Sequence, residues 1–360
     1  MATCFPHLSR LFYRPKPPPA PSPPQGLRVE TYTYSTPAPG VELKVDCHLP
    51  LNDPGWPRPA VLYFHGGNLF FGDRSFYLRG LCEDCTSKGW IFLAYDYRKL
   101  VPFTGHDIIK DLNTLFSHYH TVLAPKHNLS ATNVFVAGYS SGGYVAQLAA
   151  AHWEPKPLGM FLVASQGGKM LSQKYYAEKE EELGPIPEIL KGYLDGGGKE
   201  MRKVGSLLQH GNDLQEFDNR LALSVEVHKR GLQLDLLTGI PDLSGKLRAV
   251  ENNQEELEKL IPDEAKCLFP ELLIDETFPP AFIVHGDKDT TVLLEESKSL
   301  VENLEKRQVM AKLVTVEGAA HQTMLFDAVY KDYMMEVIPW IQERCVADEG
   351  EEDEMEDLIM

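Results

Sequence analysis

Ser140 stands in the run Gly138-Tyr139-Ser140-Ser141-Gly142, whose residue types and spacing suit nucleophilic catalysis. Val134 to Ala137 is a β-branched and aromatic apolar run, as a strand prefers. Tyr144 to Ala151 is rich in small and straight-chain residues, as a helix prefers. Strand, Gly-x-Ser-x-Gly, helix is the context that lifts a serine hydroxyl onto a sharp, exposed turn. Flanking glycines leave room for the strained central residue. The alternative is a strand-to-helix turn that happens to contain serine. A serine hydroxyl is a weak nucleophile, and it needs a neighbouring base and an acid to orient that base.

Three further stretches fall, in chain order, where such chemistry needs them. His65-Gly66-Gly67-Asn68 ends the apolar run Ala60 to Phe64. Glycines let backbone N–H groups face a substrate, so Gly66 and Gly67, with the N–H of Ser141, can form an oxyanion hole. Otherwise this is a plain glycine turn. The run His285 to Asp289 follows the apolar run from Ala281 and offers two carboxylates, Asp287 and Asp289. Either can orient an imidazole, or both belong to an ordinary charged loop. Glu317 to His321 follows the last predicted strand and supplies a histidine third in the order Ser, Asp, His.

The elements around these stretches alternate. Leu27–Tyr34 and Val41–Leu49 read as a hairpin joined by Thr36–Gly40. Short apolar runs at 60–65, 90–95, 158–163, 280–285 and 311–316 read as buried strands. Helices are predicted over 76–88, 107–123, 144–151, 293–306 and 324–343. Strands alternating with helices imply an α/β domain, over 27–346, with a mostly parallel sheet and helices on both faces. From about 166 to 277 the alternation breaks, and the chain becomes more polar and helical. This stretch is predicted to be a cap insertion over one end of the sheet and to form the acyl or alcohol pocket. Leu232, Leu234, Leu236, Leu237 and Ile240 read as core or as pocket lining, core being the commoner fate of such residues.

The ends differ in composition. Residues 1–26 include the proline-rich run Pro15–Pro24, which cannot pack as helix or sheet and is predicted to be a disordered spacer. Met1–Tyr13 has no secretory apolar run; its arginine and lack of acids also fit a transit peptide. Residues 347–360 form an acidic tail, predicted to stay solvated, with a regulatory role as the alternative.

The 360-residue chain is 43% hydrophobic, enough for a large core, and carries a net charge of −17. That balance argues against binding nucleic acid through its phosphates. No apolar run reaches the length of about 18 residues that a membrane span needs. The six cysteines are scattered except for Cys82 and Cys85, which fall on a predicted helix and read as two thiols on one face rather than a metal or redox pair. Reduced thiols and a cytoplasmic location are expected.

These motifs together resemble the hormone-sensitive-lipase-like esterases of the α/β-hydrolase superfamily. The resemblance spans roughly Arg28 to Arg344. It rests on His65-Gly66-Gly67 with Gly72 and Asp73, on Asp96-Tyr97-Arg98, and on Gly138 to Gly143. Pro155-Lys156, His285 to Val292 and Gly318 to His321 complete it. It implies Ser140 as nucleophile, His321 as base and Asp289, rather than Asp287, as acid. It also implies oxyanion donors at Gly66, Gly67 and Ser141, structural roles for Asp96, Tyr97 and Arg98, and a bond from Asp73 to His65. Two positions depart from the family pattern: Asn68 replaces a frequent third glycine, and Ser141 a frequent alanine.

The expected activity is hydrolysis of a carboxylic ester of a small molecule through an acyl-serine, with no cofactor and no metal. Thioesterase, formamidase, peptidase and acyltransferase activities use the same machinery. A binding protein that kept the fold without catalysis is the reading from a different class.

Overall fold

The computed structural model describes residues 27–51, 55–179, 184–186, 191, 214–250 and 253–345. The proline-rich segment 1–26 and the acidic tail 347–360 lie outside them, as does much of the predicted insertion. The described strands are β1 (Leu27–Ala38), β2 (Val41–Pro50), β3 (Arg58–Phe64), β4 (Ile91–Tyr95), β5 (Leu129–Tyr139), β6 (Gly159–Val163), β7 (Ala281–Gly286) and β8 (Ala311–Val316). They form one sheet in the order β1-β2-β4-β3-β5-β6-β7-β8. The β1–β2 hairpin is antiparallel and joins β4 antiparallel, and every pair from β4 to β8 is parallel.

The apolar runs explain this layout. Every residue of β3, β4, β6 and β7 is buried. Alternate residues of a strand face opposite sides, so Ala60, Leu62 and Phe64 enter one core cluster while Val61 and Tyr63 enter the other. The first core packs against α2 (Gly105–His118) and α4 (Ser141–His152), the second against α1 (Arg79–Ser87) and the C-terminal helices. Cys82 and Cys85 are both buried on α1, where burial pushes their thiols up. None of the described helices is long and apolar enough to cross a membrane.

Two predicted helices differ from those observed. The helix over 107–123 begins at Gly105 and leaves α geometry at Tyr119, where a π turn (Tyr119–Leu123) leads into the short α3 (Ala124–His127). Pro125 has no N–H to give to the carbonyl four residues back, so the regular ladder cannot continue through it. The single helix over 324–343 is three pieces: a 3₁₀ turn (His321–Leu325), α12 (Asp327–Tyr333) and α13 (Val337–Gln342). Pro339 is tolerated only in a first turn, so the helix must restart just before it.

Between β6 and β7 lie α5 (Gln173–Tyr176), α6 (Leu214–Lys229), α7 (Gln233–Thr238), α8 (Leu243–Arg248), α9 (Gln254–Leu260) and α10 (Asp263–Lys266). The sheet then closes around α11 (Leu294–Lys306). Leu234 and Leu237 are fully buried in the main core, and Leu232, Leu236 and Ile240 pack against it. They are core residues.

Asp96, Tyr97 and Arg98 brace the region below the glycine loop. Arg74 pairs with Asp96 at 2.8 Å, and Tyr97 donates its hydroxyl to His65 O at 2.8 Å. Arg98 bonds both oxygens of buried Asp111 and reaches Asp107. Asp111→Ala leaves Arg98 with only one of its two carboxylates, Asp107, and is expected to cost about 1.5–3 kcal/mol, read as a lower denaturant midpoint.

Candidate active site

Sheet order decides where the chemistry-bearing residues meet. β3 lies between β4 and β5, so the connections leaving β3 and β5 diverge at their carboxyl ends, a position where open α/β sheets bind ligands. Phe64 of β3 is opposite Gly138 of β5. That register brings His65, Gly66 and Gly67 beside Tyr139 and Ser140. Gly286 of β7 is opposite Val316 of β8, which joins the loop of Asp287 and Asp289 to the loop of His321.

Ser140 has φ 55° and ψ −124°, in the left-handed half of the map that a side chain occupies only under constraint. The turn is held by Ser140 N to Val163 O at 2.9 Å and by Gly143 N and Gln166 N to Ser140 O at 3.0 and 3.1 Å. The glycines permit close approach. A Cβ on Gly138 would lie 2.2 Å from Gly142 O, and one on Gly142 would lie 2.0 Å from Phe64 O.

His321 Nε2 is 3.0 Å from Ser140 Oγ, and His321 Nδ1 is 2.6 Å from Asp289 Oδ2. All three residues are buried, between 5% and 8% exposed. With Nδ1–H donating to the carboxylate, Nε2 is left to accept the serine proton. Asp289 Oδ1 accepts the N–H groups of Thr291 and Val292, both at 2.9 Å. Burial alone would raise the Asp289 carboxyl, but hydrogen bonds from His285 and His321 outweigh it and hold the group well below the usual carboxylate range.

The choice between the two acids rests on geometry. Asp287 Oδ1 accepts Gly318 N at 2.7 Å and so anchors the histidine loop, whereas Asp289 touches the imidazole.

Gly66, Gly67 and Ser141 also meet here. Among the described residues, no hydrogen-bond acceptor takes the N–H of Gly66 or Gly67. Ser141 opens α4, and first-turn N–H groups have no acceptor within their own helix. Gly67 has φ 128°, and a Cβ there would lie 2.0 Å from Phe71 O.

One expected contact is replaced. His65 is fully buried, stacks on Tyr97 at 4.5 Å and donates Nδ1–H to Gly66 O at 2.7 Å. Asp73 instead accepts the N–H and hydroxyl of Ser75. A carboxylate two residues before a serine closes a local turn more readily than it reaches across the loop.

Other contacts at the site were not expected from sequence. Tyr139 lies with its ring 4.9 Å from the His321 imidazole and donates its hydroxyl to His321 O at 3.1 Å. His285 receives or gives a bond to Ser297 Oγ at 2.7 Å and approaches Asp289 at 3.4 Å. Asn68 and Gln166 bond each other at 2.8 Å. The Tyr139 and Asn68 contacts join positions far apart in the chain, and local spacing carries no trace of them.

Similarity to solved structures agrees with this topology. An esterase 2 from Thermogutta terrifontis, phosphoramylated by tabun, superposes with a TM-score of 0.55 at 19% identity, covering 90% of this chain and 96% of the esterase. The chain has the α/β-hydrolase fold. The family model for the prolyl oligopeptidase family matches residues 263–345 of this chain, the part that carries Asp289 and His321. A non-reducing polyketide synthase of Preussia isomera, Preu3, is 21% identical over 85% of this chain and 13% of the synthase. A probable isoprenylcysteine alpha-carbonyl methylesterase of Arabidopsis thaliana is 22% identical over 77% of this chain and 48% of the plant protein. The chain thus spans about an eighth of the first relative and about half of the second.

Proposed function

We propose that the protein is a serine hydrolase that cleaves a carboxylic ester of a small molecule through an acyl-serine intermediate. The observation that carries this reading is the continuous hydrogen-bonded chain Ser140–His321–Asp289, at 3.0 and 2.6 Å. Ser140 Oγ attacks the acyl carbon while His321 Nε2 takes its proton. Asp289 holds the imidazole tautomer and offsets its charge. The oxyanion that forms is met by the N–H groups of Gly66, Gly67 and Ser141, each donor worth about 2.7–4 kcal/mol. The alcohol leaves with the proton from His321, and water, activated by the same imidazole, releases the acid. The likeness to esterases of the hormone-sensitive-lipase type supports an oxygen ester. The match to a segment of a polyketide synthase favours a second reading, acyl thioester cleavage or transfer by the same serine.

Parallel assays of short-chain p-nitrophenyl esters and acyl thioesters test both readings, with added alcohols and amines to reveal transfer. Saturable turnover of either class supports the proposal; a folded protein that turns over neither sinks it. Within the same assay, Asp289→Asn is expected to lower kcat by about 10³–10⁴, because it sets the wrong tautomer. Asp287→Asn disturbs the loop contact to Gly318 and an exposed ion pair with Lys288, neither of which touches the imidazole, and its loss is expected to stay below about tenfold. The opposite ranking would assign the acid to Asp287.

A further inference from the structure

The glycine loop is not held by the sheet alone. Its fourth residue, Asn68, sits in the left-handed region at φ 51°, and its side-chain amide makes three bonds. Nδ2 donates to Ser224 Oγ of α6 at 2.8 Å. Oδ1, which has two lone pairs, accepts Gln166 Nε2 at 2.8 Å and Gln233 Nε2 of α7 at 3.3 Å. Ser224, Gln166 and Gln233 are all buried.

Gln166 ties this cluster to the nucleophile turn. Its N–H bonds Ser140 O at 3.1 Å, and its carbonyl accepts Gln147 Nε2 at 2.7 Å. Four residues before Ser224, on the same face of α6, Arg220 reaches the loop a second time. It donates to Phe70 O at 3.2 Å and to Val101 O at 3.0 Å. The helices inserted between β6 and β7 thus grip the glycine loop at Asn68 and at Phe70. The N–H groups of Gly66 and Gly67, which find no acceptor among the described residues, lie immediately before this grip.

We propose that Asn68 is a positioning residue through which the β6–β7 segment holds the Gly66 and Gly67 amides in register with Ser140. This rests on the serine-hydrolase reading above. The segment therefore acts on the rate of the chemical step as well as on substrate choice. Asn68 touches no reacting atom. It acts through the backbone of its neighbours, where small misplacements of donors have large effects on rate.

The test uses the full chain. In Asn68→Gly the left-handed backbone is retained without strain while the side-chain amide is lost, and Ser224→Ala controls for the freedom that glycine adds. The expected result is a fall in kcat of about tenfold or more with KM within about twofold, since the loss falls on the transition state. The affinity for a trifluoromethyl ketone, whose adduct carries an oxyanion, should weaken by the same factor. Ser224→Ala should move both quantities in the same direction, and the double variant should add little to either. Amide hydrogen exchange over residues 66–71 should quicken in Asn68→Gly and in Ser224→Ala. Unchanged kcat and unchanged exchange in both variants would overturn the proposal, as would a rise in KM alone. If the wild-type protein turns over no acyl substrate, the serine-hydrolase reading has failed. The exchange rates then decide by themselves whether the segment holds the loop.

Discussion

Ser140→Ala is expected to lower kcat by about 10³ or more while the protein stays folded. The hydroxyl is the only part of Ser140 that meets His321, at 3.0 Å; the bonds that hold the turn use its backbone. Alanine carries the same Cβ into the same φ of 55°, so the strain of the turn is unchanged. The denaturation midpoint should therefore match the wild type, and steady-state kinetics on a p-nitrophenyl ester should show the whole effect. Residual rate above the uncatalysed reaction is also expected, because the oxyanion donors survive the substitution. Loss of folding together with activity would mean that the hydroxyl has a structural role the geometry does not show.

Gly142→Ala is expected to destabilise the protein by about 3 kcal/mol or more, with activity falling further than the folded fraction does. The added Cβ would sit 2.0 Å from Phe64 O and 2.6 Å from His65 O, both backbone atoms at the end of β3. Neither can swing aside as a side chain would. Either α4 lifts away from β3 or the strand end moves. Both shifts separate the N–H of Ser141 from those of Gly66 and Gly67. Gly184→Ala is the control, since among the described residues a Cβ there meets nothing within 4 Å. A chemical denaturation curve for each variant reads the difference directly. Equal midpoints would show that the elbow packs more loosely than these distances allow.

The alternation of buried strands and helices was legible because β3, β4, β6 and β7 are short apolar runs, buried on both faces, between polar turns. Ser140 and His321 were legible for a different reason: each follows a strand, in a chain order that the fold itself imposes. Asp289 was half legible. Spacing left Asp287 open beside it, and only the pairing of β7 with β8 sends one carboxylate to Gly318 and the other to the imidazole. Tyr139 lies inside the nucleophile motif, yet its contact with His321 spans 182 positions and depends on how two loops fold together. Asn68 read as a departure from a glycine pattern. Its three partners lie about 100 to 165 positions away, at Gln166 and on the two consecutive helices of Ser224 and Gln233, so its role became visible only once these were in place. The continuous helix expected over 324–343 is broken at Phe326 and again between Tyr333 and Val337, the second time because Pro339 must sit in a first turn, a local rule outweighed in the sequence by the apolar periodicity around it.

The central claim is that Ser140 is the nucleophile. A fluorophosphonate reacts with an activated serine to leave a stable phosphonyl adduct, and peptide mass mapping after digestion places that adduct on a residue. One adduct per chain is expected, on Ser140, formed by the wild type and lost in Ser140→Ala and His321→Ala. An adduct on Ser141 or on any other residue, or none at all on a folded protein, would contradict it.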